Sequence, residues 1–137
     1  MNPGKLLILL SGTCRLFIQN ANKTLSESGC PVGYLQFVTL KAIADVDPSL
    51  PSSIKKIADS IGVERSTLSH NSDALEKYGY VTKSPKRPAI TVLSLTDTGK
   101  AVVDGWTKMY EDLTEKAVNG VSQKLKEDLE RIGRNLL

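Results

Sequence analysis

Residues 53–100, SIKKIADSIGVERSTLSHNSDALEKYGYVTKSPKRPAITVLSLTDTGK, read as two short helices, a basic hairpin and the start of a third helix. Ile54, Ile57, Ala58 and Ile61 fall at spacings of three and four, the mark of one buried helical face. Gly62 ends that helix, and Val63-Glu64 makes a tight turn into the next. In the second helix Leu68 and Leu75 lie seven apart and point inward. Arg65, Ser66, Thr67, Ser69, His70 and Asp73 then point outward. These are hydrogen-bonding side chains of the kind that read base edges when the first turns of a helix lie in a major groove.

The hairpin follows from Tyr80-Val81-Thr82 and Ile90-Thr91-Val92-Leu93, two runs rich in β-branched and aromatic residues, with Ser84-Pro85-Lys86-Arg87-Pro88 as the turn between them. Lys86 and Arg87 sit at its tip. Folding does not require that pair, so the tip either solubilises the hairpin or meets a phosphate or a minor groove. Ser53 and Lys55 at the start of the first helix, with Lys83 on the hairpin, complete the candidate DNA contacts. Leu95-Thr96-Asp97-Thr98-Gly99 closes the module, with Thr96 a good N-cap and Asp97 in the first turn, where the helix dipole favours an acid. The expected fold is mainly α with a small β-hairpin wing: a winged helix-turn-helix between N- and C-terminal dimerisation helices.

Three segments carry a family likeness. Gly62-Val63-Glu64-Arg65-Ser66-Thr67-Leu68-Ser69-His70, Leu75-Glu76-Lys77-Tyr78-Gly79-Tyr80-Val81 and Ser94-Leu95-Thr96-Asp97-Thr98-Gly99 resemble the recognition segment, its exit and the strand-to-helix junction of the MarR family of transcription regulators. No gap is needed from Gly62 to Val81. The flanking helices fit the family plan in length and order, although the motifs lie only in the central part. The resemblance implies a homodimer that binds a roughly palindromic operator in double-stranded DNA, with repression the family habit.

The chain departs from the family pattern in three places. His70 stands where an arginine is common, which makes that contact weaker or dependent on pH. Asn71 and Ser72 replace residues that are usually apolar, which puts the family's packing beneath the recognition helix in question. The wing looks short and lacks the usual acidic-then-arginine pair, Arg87 being the nearest substitute.

A chain of 137 residues is one domain by size. Within it, 1–30 and 101–137 read as a helical dimerisation region and 31–100 as the winged helix. The net charge is +3. Its distribution matters more, since residues 53–90 hold seven Lys or Arg against four acids and so account for a surplus equal to the whole. A surplus of that size usually just solvates a face; its coincidence with the motif is what points to nucleic acid.

The flanks predict a dimer. Leu6, Leu7, Leu10, Cys14, Phe17, Ile18, Ala21 and Leu25 stripe a helix from Lys5 to Leu25, broken at Ser28-Gly29. A second helix, Tyr34 to Ala44, is apolar on most sides and reads as the central buried element, followed by the prolyl linker 45–51. Val102, Val103, Trp106, Met109, Tyr110, Leu113 and Ala117 follow helical spacing, and Val121, Leu125, Leu129, Ile132 and Leu136 stripe a last helix. A winged helix of this size cannot cover both ends. Two-fold pairing through the first helix and the last two is the simplest way to bury them, and it is the family's arrangement; a back-folded monomer is the alternative. Leu6 to Leu10 is too short to span a bilayer and Met1 to Gly4 lacks the basic start of a signal peptide, so no membrane partner and a cytoplasmic location are expected.

Catalytic and metal readings fail on inventory. There is one histidine, and fifteen residues separate Cys14 from Cys30, which matches no ligand spacing. Ser69 and His70 are adjacent on one helix and diverge by about 100°, so with Asp73 they cannot form a triad. No phosphate-binding glycine loop occurs. No enzyme activity, no metal and no cofactor are expected. Cys14 lies near the position at which one branch of the family senses peroxides, but its place on the apolar stripe predicts a small buried hydrophobe. Cys30, between Gly29 and Pro31, is expected in an exposed loop. The resemblance also implies a small aromatic effector held between the dimer helices and the reading module, with Arg15, Gln19, Tyr34, Trp106 and Tyr110 as candidate lining. At helical spacing, Trp106 and Tyr110 are more often core or dimer contacts than a ligand box. A second reading of the whole chain, from another class, is a winged helix used as a protein-interaction module of a transcription or replication assembly.

Overall fold

The computed structural model describes residues 1–46, 52–87 and 90–137, the side chains of Lys86 and Arg87 excepted. Most of the prolyl linker (47–51) and Pro88 of the expected turn lie outside the described residues.

Eight elements follow in order: α1 (Pro3–Glu27), α2 (Tyr34–Asp45), α3 (Ile54–Ile61), α4 (Arg65–Lys77), β1 (Val81–Arg87), β2 (Ile90–Leu95), α5 (Asp97–Ala117) and α6 (Gln123–Leu136). Helix α1 starts two residues before the expected Lys5, because the Asn2 side chain accepts a hydrogen bond from the Lys5 amide at 3.1 Å and Pro3 occupies a first-turn position that needs no amide hydrogen. Asn22 of α1 in turn accepts from the Tyr34 amide at 2.7 Å, which ties α1 to the start of α2.

As its all-round apolar surface predicts, α2 is the central element and packs against α1, α3, α4, α5 and β2. Phe37 and Leu40 are fully buried there, and they meet Ile57 of α3, Leu68 and Leu75 of α4, Val81 and Leu93 of the hairpin and Val102 of α5 in one core. Burial of side chains of this size stabilises a fold by about 1.5–3 kcal/mol each.

The helix-turn-helix forms as its sequence indicates. Ser53 caps α3 by accepting from the Lys56 amide at 3.1 Å, and Gly62 ends the helix in the left-handed region at φ 73°, where a side chain would be strained. The hairpin differs from expectation. Antiparallel pairing runs from Val81 opposite Leu95 to Arg87 opposite Ile90, with an irregularity between Pro85 and Arg87, so Ser84 and Pro85 are strand residues rather than turn. The long run of partners on β2 carries the strand past a proline, whose missing amide hydrogen is tolerated in a two-stranded ribbon at an irregularity.

The junction into α5 explains the Leu-Thr-x-x-Gly spacing. Thr96 accepts from the Gly99 amide at 3.0 Å and donates its hydroxyl to the Gly79 carbonyl at 2.6 Å, while its own amide donates to the Tyr80 carbonyl at 3.1 Å. The first turn of α5 is thereby pressed onto the exit of α4. A Cβ on Gly99 would overlap the Tyr80 carbonyl oxygen, a backbone atom that cannot swing aside. Only glycine permits that approach.

Helix α6 begins at Gln123 after Ser122, two residues later than its stripe, and has no buried residue. Val121, Leu125 and Leu129 are 48%, 41% and 40% exposed. On α1, Leu7, Ile8, Leu9, Leu16 and Ile18 are also exposed. Cys14, expected to be buried, is exposed on the single chain, where α1 fully buries only Ala21 and Leu25. Among the described residues, no helix is long and apolar enough to cross a membrane.

Candidate nucleic-acid interface

Helix α4 is divided cleanly into two faces. Leu68 and Leu75 are fully buried, whereas Arg65, Ser66, Thr67 and His70 are exposed and Ser69 is half-buried at the edge. The period of 3.6 residues per turn makes this division: the two leucines, seven apart, nearly eclipse each other, and the residues between them sweep around the other side.

Beside this face lies a cleft of about 610 Å³. The start of α3 supplies Ser53, Ile54 and Lys55, the first turns of α4 supply Arg65, Ser66 and Ser69, and β2 supplies Ile90 and Thr91. Two helix N-termini therefore border one concavity. Each presents the positive end of its dipole; at α3 the Ser53 side chain already accepts from the Lys56 amide, whereas the cap residue of α4, Glu64, makes no side-chain capping bond to the first-turn amides. With Lys55 and Arg65 alongside, the cleft suits an anion such as a phosphodiester. Ser53, Lys55, Arg65, Ser66 and Ser69 were all anticipated from the sequence. Ile90 and Thr91 were not, because they reach the cleft only through the pairing of β2 with the segment before α3, where the Leu93 amide donates to the Ser52 carbonyl at 2.8 Å and Val92 bridges Ser53. No local pattern encodes that pairing.

Lys83 is placed differently from the other cations. Its ammonium forms an ion pair with Asp73 of α4, its side chain is only 17% exposed, and its amide donates to Glu76 Oε2 at 2.9 Å. The base of the wing is thus fastened to α4. The hydrogen bond from Lys83, then its charge, hold the Asp73 carboxyl below its ordinary range. Because the folded value is depressed, the pairing is favoured above the ordinary carboxylate range and is lost as pH falls through the lowered value. Lys86 and Arg87 continue the same strand in sequence, but their side chains lie outside the described residues.

The five candidate effector residues do not come together on the single chain. Tyr34 and Tyr110 do meet, with ring centroids 6.5 Å apart, joined by Phe17 edge-on to Tyr34 at 5.5 Å and by Phe37 at 5.4 Å from Tyr110. Burial, then the neighbouring Tyr110, raise the Tyr34 hydroxyl above its ordinary value, so it stays neutral. Trp106 instead donates its indole Nε1 hydrogen to Ser28 Oγ at 3.0 Å and packs on the core. Arg15 and Gln19 are exposed, each two residues from Phe17 and hence about 200° around α1 from the ring that meets Tyr34. Phe17 and Phe37 are the members that the sequence did not single out. Cys30 is half-buried, not free in an open loop, and burial pushes its thiol up, away from the reactive thiolate.

This arrangement defines a winged helix-turn-helix flanked by long helices. No protein-family model matches the chain, and no curated protein matches it. Solved structures do. The chain is similar to the M. tuberculosis transcriptional regulator MosR in complex with DNA (TM-score 0.79, 22% identity, 95% of this chain and 94% of that one). It is also similar to S. aureus MepR in a DNA complex (TM-score 0.79, 17% identity, 100% and 99%). A third similar structure is Bordetella bronchiseptica BpsR, whose DNA binding is regulated by 6-hydroxynicotinic acid (TM-score 0.67, 18% identity, 98% and 93%). The fold is that of the MarR family regulators, as in the MarR/EmrR family regulator of Acinetobacter sp. ADP1 (TM-score 0.78, 12% identity, 99% and 95%).

Proposed function

We propose that the chain is a transcription regulator that binds a roughly palindromic site in double-stranded DNA as a homodimer and represses by occluding a promoter. The observation that carries this reading is the exposed polar face of α4 beside a cleft bordered by two helix N-termini and two cations. The α4 face, with Arg65, Ser66, Thr67, Ser69 and His70, lies in the major groove; Ser53, Lys55 and Arg65 meet phosphates, and the wing, with Lys86 and Arg87, meets the adjacent backbone. Lys83 acts mainly by holding the wing to α4 through Asp73. The uncovered apolar stripes of α1 and α6 pair across the two-fold axis. A small aromatic effector stacks on the Tyr34–Tyr110 cluster and shifts the spacing of the two reading heads. The DNA complexes of MepR and MosR, and the control of BpsR by a small aromatic acid, support this reading by analogy of fold.

Salt titration tests it. For a duplex ligand the logarithm of affinity should fall linearly with the logarithm of salt concentration, by about 0.9 for each phosphate neutralised. Lys55→Ala combined with Arg65→Ala should weaken binding to every duplex and reduce that slope by up to about two per protomer, with the fold retained. A slope equal to that of the parent would remove the cleft from the contact surface. Absence of duplex binding, with capture of a protein by the same face, would favour the interaction-module reading.

A further inference from the structure

The inward face of α4 holds more than its two leucines. Ser72 is fully buried and Asn71 half-buried beside them. Apolar contact is non-directional and leaves a helix some freedom to roll about its own axis. Ser72 adds no restraint, because its hydroxyl donates within α4 to the Ser69 carbonyl at 2.8 Å. Asn71 reaches across instead. Its Nδ2 donates to Thr39 Oγ1 of α2 at 2.9 Å, and that hydroxyl donates onward to the Leu35 carbonyl at 2.7 Å. Thr39 is fully buried, so water cannot substitute for either partner there. Among the described residues this is the only side-chain hydrogen bond between α4 and α2.

The bond lies close to the outward face in sequence. Asn71 follows His70 directly and stands one helical turn after Thr67. A roll of about 10° moves a side-chain tip, about 5–6 Å from the helix axis, by about 1 Å. The whole useful range of hydrogen-bond lengths is about 0.5 Å. A small roll would therefore disengage a base contact while leaving the helix folded and in the groove.

We propose that Asn71 and Thr39 are positioning residues that set the rotation of the recognition helix and through it the choice of DNA sequence, an inference that rests on the DNA-reading role proposed for α4. The parent homodimer is first used to enrich a duplex from a random pool. The ratio of affinities for the enriched and a scrambled duplex is then measured for Thr39→Val, Thr39→Ser, Asn71→Leu and the combination of Thr39→Val with Asn71→Leu. Thr39→Val and Asn71→Leu should each lower the ratio about tenfold, the scale of one base contact. The combination should lose no more than either alone, because both remove the same bond. Thr39→Ser keeps the hydroxyl and should keep the parent ratio. Affinity for scrambled DNA and the salt slope should stay at parent values in all four, since phosphate contacts tolerate a small roll. Should Asn71→Leu fail to fold, the nearly isosteric Thr39 pair carries the test alone. Unchanged ratios in a parent that does enrich a sequence, additive losses, or a Thr39→Ser that behaves as Thr39→Val would overturn the inference alone. A parent that enriches no sequence would overturn the DNA-reading role and this inference with it.

Discussion

Leu68→Ala should cost about 2–5 kcal/mol of folding stability and leave the sequence preference of the remaining folded protein unchanged. The side chain is fully buried in the core, so its removal loses both transfer free energy and packing contacts around the cavity left behind. Thermal or urea unfolding reads the first effect. The outward residues should behave in the opposite way: Thr67→Ala and His70→Ala are exposed substitutions that should leave unfolding near the parent value and reduce preference for the enriched duplex by about 1–3 kcal/mol per lost base contact. If Leu68→Ala changed preference in fully folded protein while the two outward variants did not, α4 would be facing the other way.

Leu125→Glu combined with Leu129→Glu should convert the proposed dimer to a monomer and weaken binding to the enriched duplex by about 10²–10⁴-fold. Both leucines are exposed on the single chain, so the charges do not enter its core and each protomer should fold. The loss comes from linkage: two heads held about 34 Å apart bind as one unit, whereas separate heads each bear the full entropic cost of association. Sedimentation at micromolar concentration reads the assembly, and anisotropy reads the affinity. A variant that remained dimeric would move the interface away from α6, and a monomer that bound as tightly as the parent would contradict the two-headed arrangement.

Periodic features of this protein were legible in its sequence. Ile54, Ile57 and Ala58 bury as their spacing predicts, Leu68 and Leu75 hold the inward face of α4, Gly62 ends α3, and Thr96 caps α5. Each of these depends on residues within about two turns of one another, and periodicity carries that information. Features that need a distant partner were not legible. Gly99 looked like part of a motif; its reason is the Tyr80 carbonyl, which arrives from the exit of α4. Lys83 looked like a free cation until β1, running on to Arg87, placed it beside Asp73. Asn71 looked like a packing fault and is instead the donor to Thr39, thirty-two residues away. Cys14 sits on an apolar stripe, but a stripe does not distinguish a core from a surface that awaits a second copy.

The aromatic cluster shows the same limit. Tyr34 and Tyr110 meet, but of the two rings that complete the cluster Phe17 reads in the sequence as part of the apolar stripe of α1 and Phe37 as one apolar residue of the central helix. Arg15 and Gln19 offer a cation and an amide, and on the single chain each is exposed about 200° around α1 from Phe17. Residue type suggests a site; the direction of each side chain decides its membership.

Enrichment of duplexes from a random pool by the 137-residue chain tests the central claim most directly. The account predicts recovery of one sequence with two inverted half-sites about one helical turn apart, bound by a single homodimer with an affinity that falls linearly in logarithm with salt. Recovery of no sequence, together with an affinity for duplex DNA that does not respond to salt, would contradict it.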